Sequence, residues 1–342
     1  MPNEYPGGVG GGHPTSLGVG TTEHVIAVVE DDDPSTGLLP PHEGVRYVFI
    51  EPGAPAPKDV FECDALFTWD PSNPFLRDNF SRLTRLRWVH ASSAGVDRLL
   101  FPELVGSDVA LTNSRYVFDE SLAEYVIGLM LMMSKDFGAT LAFQREHRWV
   151  KRESDMLRGA VVVIVGVGPI ARQVARFANA FGMVVHGIGR TARNGDPDFG
   201  DITSPDAMHT LFAIADYVVM VLPKTPATEK LVDAAALAAL KPSARLINVG
   251  RAWSLDQDAL VRALRDGLLS AAALDVMTPE PLPADDPLWD TPNLIISPHM
   301  SGDHHGWRAD IVTLFDSNLE RWLRGEPLRN VVDKHLGYAP GD

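Results

Sequence analysis

VVVIVGVGPIARQVARF, residues 161–177, sets five consecutive apolar residues directly before Gly166-Val167-Gly168-Pro169-Ile170-Ala171. A short β-branched run of that kind reads as a strand buried on both faces, as in a parallel sheet covered by helices. The glycines then supply a tight turn, and Pro169 opens a helix where its missing N–H is no loss. Strand, Gly-x-Gly-x-x-Ala turn and helix in this order form a dinucleotide-binding fingerprint. Gly166 permits the turn, Gly168 lets the backbone approach a pyrophosphate, and Ala171 keeps the helix close to the strand. Exposed amides and the dipole at the helix start favour the phosphates.

Working outward, short apolar runs recur on both sides. Upstream stand HVIAVVE, RYVFIE, DALFTWD, LRWVHAS and DVALTN; downstream stand MVVHGIG, DYVVMVLP, ARLINVG, AAALDV and NLIISPH. They alternate with helical patterns, which predicts βα units, parallel sheets and an α/β fold of two domains in series. A long amphipathic stretch from about Asp119 to Arg148 is predicted as a core or interface helix, and a last helix is expected near residues 308–324. Residues 1–22 are rich in Gly and Pro and almost free of large apolar side chains, so a disordered tail is expected there.

The 342 residues suffice for two domains, and 45% apolar with 22% charged residues describes a soluble globular chain. A formal net charge of −15 argues against nucleic acid or anionic membrane as partner. Cys63 is the single cysteine, which excludes an internal disulfide and suits the cytoplasm. No apolar run reaches the roughly 18–20 residues that span a bilayer, and a signal-peptide pattern is lacking at the start. The run Glu30-Asp31-Asp32-Asp33 after the first strand could hold Mg²⁺ in a receiver-like domain. A solvated loop is the simpler reading, and no metal is expected.

The strand MVVHGI runs into HGIGRTAR, residues 186–193. An NAD-specific fold carries an Asp or Glu about 20 residues past the glycines, for the adenosine ribose hydroxyls. Gly189 stands there without a side chain, followed by Arg190, Thr191 and Arg193. Guanidinium forks fit the oxygens of a 2′-phosphate, and the threonine hydroxyl adds a donor. The expected cofactor is therefore NADP(H), with NAD(H) as the second choice. A plain solvated turn is the competing account of these cations.

Three later strands end in Arg251, in Asp275 with Glu280, and in His299. Ligands of doubly wound sheets sit outside the carboxyl ends of the strands, so these ends should converge. Hydride transfer to a 2-keto acid needs such groups. A bidentate arginine grips the substrate carboxylate, a histidine protonates the carbonyl oxygen, and a carboxylate orients the imidazole. Singly, each residue has a dull alternative at a strand end or loop.

With these stretches in hand, the chain resembles the D-isomer-specific 2-hydroxyacid dehydrogenases over residues 24–338. The matching segments are ASSAGVD (91–97), LAEYVIGLML (122–131), LRGAVVVIVGVGPIA (157–171), VLPKTPAT (221–228), INVGR (247–251), ALDVMTPEPLP (273–283) and SPHMSGD (297–303). The resemblance implies two Rossmann-like domains with parallel, doubly wound sheets and a cleft between them. Residues 23–132 with 310–338 would form a flavodoxin-like substrate domain, and 133–309 the dinucleotide-binding domain. It implies that Arg251 binds substrate and that His299 is the acid/base oriented by Glu280. Asp275 would hold the nicotinamide carboxamide, and the amides around Ser93, Ala94 and Gly95 the substrate carboxylate. Further cofactor contacts would fall on Pro169, Ile170, Leu222, Pro223, Val249 and Gly250. A homodimer is implied as well.

The chain departs from the family pattern at Gly250-Arg251-Ala252, where Ala-Arg-Gly is usual, and at Lys224. Its GRTAR turn resembles NADPH-preferring glyoxylate/hydroxypyruvate reductases. The expected function is reduction of a small 2-keto acid with NADPH. The alternatives are an NAD-dependent dehydrogenase of hydroxypyruvate or phosphoglycerate and a dinucleotide-sensing, corepressor-like regulator. Trp69, Tyr116, Trp253 and Trp307 are left open between lining a substrate pocket and packing.

Overall fold

A computed structural model describes residues 23–35 and 37–339. The segment 1–22, expected as a tail, lies outside the described residues. Five strands, β1 (His24–Val29), β2 (Val45–Ile50), β3 (Ala65–Thr68), β4 (Trp88–Ala91) and β5 (Ala110–Asn113), form one sheet in the order β2-β1-β3-β4-β5. All its pairings are parallel. A second sheet holds β6 (Val161–Val165), β7 (Val184–Ile188), β8 (Arg193–Asp196), β9 (Gly200–Thr203), β10 (Tyr217–Met220), β11 (Arg245–Asn248), β12 (Ala271–Leu274) and β13 (Leu294–Ile296). Its order is β13-β12-β11-β10-β6-β7-β9-β8, and only the β8–β9 pair is antiparallel. The expected α/β architecture with parallel, doubly wound sheets is therefore present. Strand order reverses at β6, whose neighbours β7 and β10 lie on opposite sides, which is where such sheets open a ligand crevice.

Two neighbouring strands carry core residues on both faces of the second sheet. Val162, Ile164 and Val219 face one side and Val163, Val165 and Val218 the other, so β6 and β10 are buried on both faces. Helix α1 (Asp119–Ser134) buries Leu122, Val126, Ile127 and Met130 in the cluster of Val162, Ile164, Ala171 and Val174, on the second sheet. The single helix read over 119–148 is broken. Asp136 takes a left-handed φ of 49° and caps a new helix, α2 (Phe137–Arg145), by accepting from the Ala139 amide. Asp tolerates that conformation and its short carboxylate satisfies a free helix N–H. No single helix among the described residues is long and apolar enough to cross a membrane.

Helix α3 (Pro169–Ala180) follows the glycine turn, and α4 (Gln257–Arg265) buries Ala259, Leu260 and Leu264 in the core of the second sheet. The closing helix α5 (Trp307–Leu323) returns to the first sheet. Phe315 stacks on Phe67 at 4.6 Å and on Trp88 at 5.4 Å, within a core that also holds Ile26, Val28, Ile311 and Leu319. Trp69 and Trp307 meet edge to face at 6.1 Å, and the Arg308 guanidinium lies 4.0 Å above the Trp69 ring. These two indoles take part in packing. Arg308 also binds both oxygens of Asp31, while Glu30 accepts from the Ser35 amide and hydroxyl. The acidic run is thus engaged within the chain, and no group of three metal-ligating side chains occurs among the described residues.

Candidate active site

The carboxyl ends of β6, β10 and β11 are packed backbone to backbone. A methyl built on Gly166, at φ 111°, would lie 2.5 Å from the Val221 carbonyl oxygen, and one on Gly250 would lie 2.6 Å from the Leu222 amide nitrogen. Glycine at 250, a departure in the sequence, is therefore demanded by the close approach of residues 221–222. Gly168 is the opposite case. It caps α3 in an extended conformation, and a methyl there would meet nothing within 4 Å. An open cradle at a helix start, bounded by glycines that cannot be enlarged, fits the pyrophosphate of a dinucleotide.

At the end of β7 the space expected for an acidic side chain is filled. A methyl on Gly189 would come within 2.9 Å of Val167 and 3.0 Å of Ile202. Arg190, Thr191 and Arg193 are exposed on the turn beyond it. Arg190 lies over Tyr338 at 5.9 Å. Arg193 donates through Nε and Nη2 to Asp196 Oδ2 at 3.2 and 3.0 Å. Asp196 is buried and also takes both Nη groups of Arg172, whose hydrogen bond does most to hold its carboxyl far below the usual carboxylate range. Asp198, also buried, ties Arg172 to Arg176. Of the two cations expected on this turn, Arg193 is held by a buried acid and Arg190 is not. The turn-forming Asp-Pro-Asp-Phe-Gly stretch, 196–200, was the available signal for that acid.

Three strand ends carry the expected chemistry. After β11, buried Asn248 accepts from the Gly250 amide at 3.1 Å and donates to the Arg251 carbonyl at 3.3 Å, which sets the turn bearing Arg251. Arg251 reaches the loop after β4. Its Nε donates to Asp97 at 3.0 Å, and its Nη2 would lie 1.7 Å from a methyl on Gly95. That loop is held by its carbonyls: Ser93 O accepts from the Ser114 amide, Ala94 O from Asn113 Nδ2 at 2.6 Å, and Gly95 O from the Ser93 hydroxyl. Among the described residues, the amides of Ser93, Ala94 and Gly95 donate to nothing.

His299 lies in the loop after β13 with a left-handed φ of 53°, a costly conformation for a side-chain-bearing residue. Asp275, 1% exposed at the end of β12, restrains that loop. Its carboxylate accepts from the Ser297 hydroxyl at 2.6 Å, from the Met300 and Ser301 amides, and from the Ser301 hydroxyl. The oxygens expected to hold a carboxamide are thus engaged by the chain itself. Glu280 Oε2 lies 3.1 Å from His299 Nδ1, and its other oxygen accepts from the Met277 amide at 3.0 Å. Burial pushes the Glu280 carboxyl up, but the hydrogen bond from His299, the Met277 amide and the charges of His299 and Arg98 outweigh it and hold it below its ordinary value. Arg98, whose charge acts on Glu280, neighbours Asp97, the partner of Arg251.

Leu222 is partly buried in the second core, and the Pro223 carbonyl accepts from the Thr228 hydroxyl. Val249 is buried beside Ile247. Lys224 sits 5.0 Å over Trp253, whose indole N–H donates to the Thr225 carbonyl. Tyr116, half exposed with φ 78°, contacts Arg115. Pro169 and Ile170 open α3 beside the cradle.

Similarity to known proteins agrees with this geometry. Residues 127–301 match the family profile described as D-isomer specific 2-hydroxyacid dehydrogenase, NAD binding domain. A glyoxylate/hydroxypyruvate reductase B of Pectobacterium atrosepticum is 32% identical over 76% of this chain and 83% of its own. A D-isomer specific 2-hydroxyacid dehydrogenase of Xanthobacter autotrophicus, solved with NADPH and MES, superimposes with a TM-score of 0.80 at 28% identity, covering 92% of this chain and 100% of that one. An NADPH-dependent glyoxylate/hydroxypyruvate reductase of Sinorhizobium meliloti, solved with NADP and sulfate, gives a TM-score of 0.77 at 26% identity over the same 92% and 100%.

Proposed function

Because the chain belongs to the D-isomer specific 2-hydroxyacid dehydrogenases, and so is an NAD(P)-dependent oxidoreductase, we propose that it reduces glyoxylate, hydroxypyruvate or a similar small 2-keto acid with a preference for NADPH. One observation carries this reading: Arg251, Glu280 and His299 stand on the loops that follow β11, β12 and β13, with Glu280 paired to His299 and Arg251 bonded to Asp97 of the loop after β4. NADPH, when bound, supplies a hydride to the carbonyl carbon. Arg251 and the free amides of Ser93, Ala94 and Gly95 grip the carboxylate from opposite sheets. His299 delivers a proton from Nε2 to the carbonyl oxygen, while Glu280 on Nδ1 fixes the orientation of the ring. Asp275 acts by restraining the loop that carries His299.

For the cofactor, Gly166, Gly168, Pro169 and Ile170 receive the pyrophosphate, and Leu222, Pro223, Val249 and Gly250 flank the bound nucleotide. Arg190, Thr191 and Arg193 meet the 2′-phosphate. Arg190, exposed and without an acidic partner among the described residues, is the freer cation, whereas Asp196 holds the Nε edge of Arg193. Arg190→Ala is expected to weaken NADPH binding by about 1.5–3 kcal/mol, as for a hydrogen bond to a charged group. NADH binding should hardly change in a fluorescence titration, and equal losses for both cofactors would reject phosphate pairing.

Turnover followed at 340 nm with NADPH and NADH, against glyoxylate, hydroxypyruvate, pyruvate and phenylpyruvate, tests the main assignment. Faster reduction with NADH overturns the cofactor preference, and no turnover with any acid favours a dinucleotide-sensing role. We further read the chain as a cytoplasmic homodimer, with 23–132 plus 310–338 and 133–309 as its two units, except that helix α1, which this boundary assigns to the first, packs its buried face on the second sheet. Helix α2 has no buried residue, and Phe137, Leu141, Trp149 and Met156 around it are exposed, which supports an interface there. Light scattering should give twice the chain mass, and a monomer at micromolar concentration would end that reading.

A further inference from the structure

We propose that Asp97 is the positioning residue for Arg251, setting from the first sheet the orientation in which the guanidinium meets a substrate carboxylate. The inference rests on the assignment of Arg251 to that carboxylate. Asp97 is itself firmly seated, since its neighbours Val96 and Leu99 are buried in the core under β4. Its Oδ1 accepts from Arg251 Nε at 3.0 Å, and the Gly250 carbonyl accepts from Nη1 at 3.0 Å. Two contacts on different edges fix the guanidinium plane. Nη2 is then directed against Gly95, where an added methyl would meet it at 1.7 Å. The terminal edge of the fork thus lies beside the unused amides of residues 93–95, the geometry that a carboxylate held from two sides requires.

Simple electrostatics predicts the opposite influence. An anion beside a site for an anionic substrate repels it, so a merely adjacent Asp97 would weaken binding and its removal would tighten it. A positioning role therefore reverses the expected sign of the change in KM. Asparagine offers a neutral oxygen at the same place and separates acceptor geometry from charge.

Steady-state kinetics of the wild type, Asp97→Ala and Asp97→Asn with NADPH and hydroxypyruvate read this directly, with NADPH binding as the check on folding. Loss of one charged hydrogen bond is expected to raise KM of the alanine variant roughly ten- to hundredfold, with NADPH affinity unchanged. Asp97→Asn should recover most of the loss. An alanine variant with equal or lower KM, or an asparagine variant as impaired as alanine, overturns the proposal. Should the alanine variant not fold, Asp97→Glu moves the acceptor by one methylene while keeping the charge. A raised KM for it supports the proposal and a wild-type KM overturns it. If the wild type reduces no 2-keto acid, the functional assignment fails separately. Calorimetric binding of oxalate to the NADP⁺-loaded wild type and alanine variant then decides on Asp97, with equal affinities against it.

Discussion

His299→Ala is expected to lower kcat by about 10²–10⁴-fold, the usual contribution of a positioned acid–base group. The pair it belongs to is built for one orientation. Glu280 engages Nδ1 at 3.1 Å, the Met277 amide fixes Glu280, and Asp275 restrains the loop through Ser297 before His299 and Met300 and Ser301 after it. Nε2 is left without a partner among the described residues. None of these contacts reaches the glycine cradle, so NADPH affinity should survive the substitution. Stopped-flow turnover together with a cofactor titration separates the two quantities. Near-normal kcat would remove His299 from the proton transfer, and loss of NADPH binding would show that the substitution disturbs the cradle instead.

Arg251→Ala should reduce kcat/KM by about 10²–10⁴-fold, since two hydrogen bonds to a charged group, at about 1.5–3 kcal/mol each, disappear together. Arg251→Lys keeps the charge but loses the planar fork, and it should recover only a small part of the activity. Cofactor binding is again the control. Lysine with wild-type kcat/KM would mean that a point charge suffices and that the fixed orientation on Asp97 has no purpose in binding.

The alternation of apolar runs and helical patterns made the sheets legible, because parallel strands buried on both faces leave an unbroken Val/Ile/Leu signature. Strand β8, RNGD, has no such signature and went unread. Its place at the sheet edge depends on the Arg172–Asp196–Asp198 network, which forms only once α3 stands beside it. The break at Asp136 was hidden for another reason. Helical spacing continues through it, and neither proline nor an adjacent glycine run marks a stop. Arg251, Glu280 and His299 were legible as polar residues ending apolar strands. Asp97 was not, since an acid in a loop gains meaning only from a guanidinium that arrives from 154 positions away. Asp275 shows the converse. Its position was readable, yet its engagement by four donors of one loop could be seen only in three dimensions.

The stacking of Phe315 on Phe67 and Trp88 also bears on biosynthesis. A chain emerging from the ribosome finishes β4 early, but the aromatic surface that β3 and β4 present there stays bare until residue 315 has been made. The second sheet, whose strands run from residue 161 to residue 296, has all its members before that moment. The first sheet is therefore made before the second but completes its core after it, and meanwhile it offers an unsealed hydrophobic face.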